Sequence, residues 1–264
     1  YISMSGSAKG KIRLVIDSDV ANEVDDQFAL SYALSRRNKL KIEAITIAPY
    51  RVSWQKGLSV RDGAIDSKNE ADRLLRLFGF KYSAKNPFVY LGCSGFLSEG
   101  YNETNPAVQK IIELANVGDD LYICCLGTLT NVAMALRLAP EIASKIKIVW
   151  LGTDNVLLEK FTDANYRKDV LAFNEVVASS VDFTIFPTFL ARAFVTSIYE
   201  FPRNIKDNDV TRYLASIVNR FVHIEENLGI KIIYDIGPIA FLLNRDKFTE
   251  RLVSPDLLLK EGKV

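Results

Sequence analysis

Four short apolar runs constrain this chain more than any other feature, because none of them alternates with polar residues. Residues 12–17 (IRLVID), 42–48 (IEAITIA) and 146–151 (IKIVWL) are rich in β-branched side chains, and 121–126 (LYICCL) is apolar throughout. A strand with one wet face alternates; a strand covered on both faces reads as a continuous apolar run. Stretches with helical spacing separate these runs. They are residues 25–37, 66–78, 105–116, 131–138 and 168–180, with Pro106 at a favoured first-turn position of the third. In the second, Ala71, Leu74, Leu75 and Phe78 follow the i, i+3, i+4, i+7 pattern of one helix face. Shorter strands are expected at 88–91 and 183–186, a long helix at 209–228 and a short helix at 236–244, just after Asp235. Strand–helix alternation with right-handed crossovers predicts an α/β class: a mostly parallel central sheet flanked by helices. With no repeat or Pro/Gly/Ser-rich linker beyond residue 11, residues 12–264 are expected to form a single domain. Residues 1–11 are set aside as a disordered arm or an expression remnant.

Composition narrows the chemistry. The 264 residues contain one histidine, His223, which excludes a His-rich metal site and leaves a Ser-His-Asp triad no other imidazole. A net charge of +1 supplies no electrostatic drive toward nucleic acid or anionic membrane. Cys93, Cys124 and Cys125 are odd in number, with two adjacent in an apolar run, which points to a reducing compartment rather than a disulfide framework. No stretch reaches the ~18 apolar residues of a membrane span. The expected setting is cytoplasmic, without a nucleic-acid polymer or membrane as partner.

Open parallel sheets bind ligands beyond the carboxyl ends of their strands. The first strand ends in Asp17-Ser18-Asp19-Val20-Ala21-Asn22-Glu23-Val24-Asp25-Asp26, five carboxylates within ten residues. Like charges grouped at one turn are unfavourable unless neutralised, and a hard cation with oxygen ligands does so. A divalent-metal site is therefore expected at this turn.

The motif resembles the D-x-D-x-x-x-D-D signature of the inosine-uridine preferring nucleoside hydrolase family, with two more residues between the second and third Asp. Two further segments carry the resemblance: Gly127-Thr128-Leu129-Thr130-Asn131-Val132-Ala133-Met134-Ala135-Leu136 and Asp235-Ile236-Gly237-Pro238-Ile239-Ala240. A weaker match is Asp169-Val170-Leu171-Ala172-Phe173-Asn174. The resemblance implies a Rossmann-like nucleoside hydrolase fold and calcium-dependent hydrolysis of a ribonucleoside to ribose and free base, in purine or pyrimidine salvage. The small-molecule nucleoside is the implied partner, with a dimer or tetramer usual in the family. It further implies that Asp19 ligates Ca²⁺ and accepts the proton of a water held there. Asp26, the Thr130 main-chain carbonyl and Asp235 complete the metal set, Asp25 contacts the ribose hydroxyls, and Asp17 supports the loop. Thr130-Asn131 also reads as an N-cap, and the two readings are compatible.

The departures fall on the other side of the reaction. The family's leaving-base acid, a histidine before the last metal Asp, is replaced by Tyr234, which can donate a hydrogen bond or stack. Where Glu-x-Asn is expected the chain has Ala172-Phe173-Asn174. Asn174 remains a ribose candidate, with Asn165 or Asp169 as substitutes for the missing polar group. Trp54 is a candidate for base stacking or for packing, and His223 for a helix-face residue or a base-side donor. Two alternatives stay open. One is a non-catalytic or weakly active calcium-dependent nucleoside or ribose binder. The other is a haloacid dehalogenase-like phosphatase with Asp17 as nucleophile and Asp19 as acid/base.

Overall fold

The structure, a computed structural model, describes residues 10–51, 59–83, 85–156, 160–218 and 229–259. Trp54 and His223 lie outside the described residues. The first half alternates strictly: β1 (Ile12–Ser18), α1 (Asp25–Ser35), β2 (Leu40–Ile47), α2 (Val60–Leu77), β3 (Val89–Leu91), α3 (Pro106–Ala115), β4 (Leu121–Cys125), α4 (Thr130–Leu138) and β5 (Ile146–Leu151). There follow α5 (Ala164–Lys168), α6 (Val170–Ala178), β6 (Asp182–Phe186), α7 (Thr188–Ala191), β7 (Val195–Ser197), α8 (Phe201–Asn204), α9 (Asp209–Ile217), β8 (Ile230–Ile232), α10 (Ile236–Leu243) and α11 (Pro255–Leu258).

Strands β1 to β6 form one sheet in the order β3-β2-β1-β4-β5-β6, parallel throughout. This is the doubly wound Rossmann order, whose direction of winding reverses between β1 and β4. The apolar runs lack alternation because the pleat sends successive residues into two separate cores. Val15, Ile123 and Cys125 pack with α3, α4 and α6 against Trp150 and Phe173. Leu14, Ile16 and Cys124 pack on the other face with Leu30, Leu34, Leu74 and Phe241. All three cysteines are buried and free of disulfides.

Three elements depart from the sequence expectation. Helix α2 begins at Val60 rather than 66, because Ser59 and Asp62 close a reciprocal capping box ahead of the amphipathic stretch. The expected helix 168–180 is divided at Asp169, whose carboxylate accepts from the Ala172 N–H and caps α6. Strands β7 and β8 form a small antiparallel pair, Val195↔Ile232 to Ser197↔Ile230, from segments whose short length leaves no periodic signal. Helix α9 is described to Ile217; the rest of the expected long helix falls outside the described residues.

Candidate active site

A cavity of ≈ 250 Å³ opens at the carboxyl ends of β1, β4 and β5, at the reversal point of the sheet. Its wall carries Asp19, Glu23, Asp25, Asp26, Asp154, Asp163 and Asp235, joined by Asn22, Asn165, Tyr234 and Arg192. Parallel pairing sets its floor, since Asp17 lies level with Thr46 on β2 and Cys125 on β4. Asp17 is fully buried beneath the wall, with Oδ1 accepting from Thr46 Oγ1 at 2.5 Å and Asn131 Nδ2 at 2.8 Å. The β1–α1 turn is held from within. Asn22 donates its main-chain N–H to the Asp19 carbonyl at 2.7 Å and its side-chain amide to Asp19 Oδ2 at 2.9 Å. Ser18 Oγ donates to Asp26 Oδ1 at 2.5 Å.

Asp25 and Asp26 open α1, and Asp235 precedes α10, which packs against α1. Each of the three offers a carboxylate oxygen within 4.8 Å of the other two, and all three are buried. Burial, reinforced by neighbouring carboxylates, lifts Asp25 to about 7 and pushes Asp26 and Asp235 well above the usual carboxylate range. Asp19 is raised by the same desolvation, opposed by Lys168, whose Nζ lies 3.8 Å from Asp19 Oδ2. Carboxylates so crowded and desolvated ionise only at a cost, which a cation in their midst removes. An all-oxygen, anionic donor set fits a hard divalent ion such as Ca²⁺.

The structure therefore gathers Asp25, Asp26 and Asp235 most tightly. Asp19 lines the same cavity but is shared with Lys168 and Asn22. Gly127 leaves room beside it, because a Cβ there would meet Asp19 Oδ1 at 2.9 Å and displace that carboxylate. Thr130 is buried outside the cavity wall, its hydroxyl donating to Asp169 Oδ2 at 2.6 Å. The N-cap reading of Thr130-Asn131 is corrected: the N-cap of α4 is Leu129, without a side-chain cap bond. Asn131 instead stitches the strands, donating to Asp17 and to the Ile47 carbonyl at 2.9 Å while accepting from Cys93 N–H at 2.8 Å.

Asp169 is also a brace rather than part of the wall. It accepts from Leu97 N–H, Ser98 N–H, Ser98 Oγ, Thr130 Oγ1 and Ala172 N–H. Asn174 sits on α6 away from the wall. Asn165 does line the cavity, donating to the Leu126 and Leu151 carbonyls at 2.7 and 3.0 Å, and so does Tyr234. Three charged wall residues, Asp154, Asp163 and Arg192, carry no expectation from the sequence. Asp163 caps α5 and enters the wall, burial lifting it to about 6. Asp163-Ala164-Asn165 is an acid-x-amide pattern, nine residues before the triplet in which it was sought.

Solved structures similar to this fold include nucleoside hydrolases and a type III effector. A plant nucleoside hydrolase superimposes with a TM-score of 0.72 at 17% identity, over 91% of this chain and 81% of its own. A purine-preferring ribonucleoside hydrolase from Gardnerella vaginalis gives 0.70 at 22% identity, over 92% and 83%. The type III effector XopQ, solved with adenosine diphosphate ribose, gives 0.61 at 14% identity, over 88% and 81%. At these identities the likeness establishes the fold. No curated protein matches the sequence. The family model of the inosine-uridine preferring nucleoside hydrolases matches residues 14–262, and the chain belongs to that family. It is a nucleoside N-glycosyl hydrolase by family. The phosphatase alternative falls with this assignment, and Asp17, its would-be nucleophile, is sealed under the site. Among the described residues no helix is long and apolar enough to cross a membrane.

Proposed function

We propose that this cavity hydrolyses the N-glycosidic bond of a ribonucleoside with the help of Ca²⁺. The observation that carries the reading is the buried trio Asp25, Asp26 and Asp235 within 4.8 Å of one another. These residues would hold the ion, with Asp19 alongside and the Thr130 main-chain carbonyl as the further ligand that the family resemblance names. When bound, Ca²⁺ neutralises the trio, orients the sugar diol and acidifies a water beside it.

The protein's own groups account for the remaining steps. Asp19, fixed by Asn22, accepts the proton of the attacking water. Asp25, which lines the cavity, receives a ribose hydroxyl. Asp163 and Asn165 in the same wall bind the rest of the sugar, in place of Asn174 and Asp169. As the C1′–N bond breaks, positive charge grows on the ribose, and the surrounding carboxylates stabilise it. Tyr234 faces the cavity from the residue before Asp235 and donates a hydrogen bond to the departing base.

A second reading, a calcium-dependent binder of ribosyl compounds, is favoured by one observation. A tyrosine stands where a stronger acid is expected, and an unassisted base is a poor leaving group. The effector solved with adenosine diphosphate ribose offers a precedent on this fold for holding such a ligand.

The test uses Ca²⁺-loaded protein, a 4-nitrophenyl riboside and a panel of natural nucleosides. Hydrolysis of both, abolished by chelation and by Asp26→Ala, is the expected result. Binding of ribosides without cleavage of even the nitrophenyl substrate establishes the binder instead.

A further inference from the structure

The turn from Asp19 to Asp25 is two residues longer than the family motif, and it carries a fifth carboxylate, Glu23. Glu23 lines the cavity, with its side chain 34% exposed. Its Oε2 lies 3.2 Å from Nζ of Lys231, a side chain only 2% exposed. Lys231 is the middle residue of β8, pairs with Thr196 of β7, and precedes Asp235 by four residues. The ion pair thus joins two chain segments 208 residues apart, the ones that deliver Asp25 and Asp26 on one side and Asp235 on the other.

Burying an ammonium costs several kcal/mol unless a carboxylate answers it, so this lysine is a poor device for stability alone. Its placement has an electrostatic meaning. Glu23 raises the proton affinity of Asp19, Asp25, Asp26 and Asp235 together, so its charge reaches all four. Lys231 opposes it at Asp25. A carboxylate on the same cavity wall as the trio, two residues before Asp25, is drawn to a cation held there, and the buried ammonium engages it.

We infer that Lys231 is a positioning residue that holds Glu23 out of the cation's coordination and so keeps one face of the cation open to the sugar hydroxyls. The inference rests on the cation-assisted hydrolysis proposed above. It applies to this longer form of the turn, where the extra residues bring a carboxylate that would otherwise compete with substrate.

Calorimetric titration of metal-free protein with Ca²⁺, alongside KM and kcat, tests it in wild type, Lys231→Met, Glu23→Gln and the double variant. Lys231→Met should bind Ca²⁺ about tenfold more tightly, ~1.4 kcal/mol, while KM rises about tenfold and kcat changes less. In that background Glu23→Gln should return both values toward wild type. Glu23→Gln alone should weaken Ca²⁺ binding several-fold, because the cavity wall loses a negative charge while the ammonium stays, and this arm stands even if Lys231→Met does not fold. Unchanged or weaker Ca²⁺ binding in folded Lys231→Met, or unchanged binding in Glu23→Gln, overturns the inference. A double variant indistinguishable from Lys231→Met does so too. Wild-type protein that binds no divalent ion removes the cation reading itself, whereas normal wild-type binding with inert variants removes the role of Lys231 alone.

Discussion

Asn131 Nδ2 donates to Asp17 Oδ1 at 2.8 Å, a bond that closes 114 residues of sequence and fastens the start of α4 to the end of β1. The same side chain satisfies the Ile47 carbonyl and the Cys93 N–H, so a single amide locks β1, β2 and the segment after β3 around the cavity floor.

Asn131→Ala leaves a buried carboxylate, a carbonyl and an N–H short of partners at once. Each orphaned buried group costs ~1–3 kcal/mol, so a loss of about 3 kcal/mol or more is expected by denaturant unfolding. A change below about 1 kcal/mol would show that the stitch is dispensable.

Stability should depend on pH in a manner that a divalent ion reduces. Burial lifts Asp17 and Asp25 to about 7 from an ordinary value of 3.8, so the folded state binds these protons more tightly than the unfolded chain. That contribution is complete below the unfolded value and lost as pH rises toward the folded one. Chelator-treated protein should therefore melt several degrees lower at about pH 8 than at about pH 5, and Ca²⁺ should remove the share that comes from Asp25 by replacing its proton, leaving that of Asp17 beneath the site. Melting curves under the four conditions decide it; a chelated sample that gains stability with rising pH contradicts the assignment.

Tyr234→Phe keeps the ring and removes only the hydroxyl. If that hydroxyl serves the departing base, natural nucleosides should lose roughly 10²-fold in kcat. A nitrophenyl riboside, whose leaving group departs unaided, should change by less than about threefold. Equal losses on both substrates would place the hydroxyl in sugar binding instead.

The sheet could be read from the sequence because both of its faces are buried. Each β-branched run from Ile12 to Trp150 records that burial locally, and Pro106 marks a helix start without help from the rest of the chain. The acidic turn was legible for a related reason. Five carboxylates in ten residues repel one another in any conformation, so their grouping signals a shared task before folding is considered.

What stayed hidden depends on partners distant in sequence. Asp169 has the same local chemistry as Asp163, yet four of the five donors around it come from Leu97, Ser98 and Thr130, making it a brace, while Asp163 opens to the cavity. Thr130-Asn131 carries a capping pattern that strand pairing overrides, because Asp17 and Ile47 offer Asn131 buried partners stronger than its own helix end. Lys231 shows no motif at all; only the packing of β8 against the β1–α1 turn brings its ammonium to Glu23. Burial and local repulsion are written residue by residue and survive in the sequence. Which carboxylate faces the cavity, which one braces the fold and which one is held by a lysine are set by long-range contacts that exist only once the chain has closed on itself.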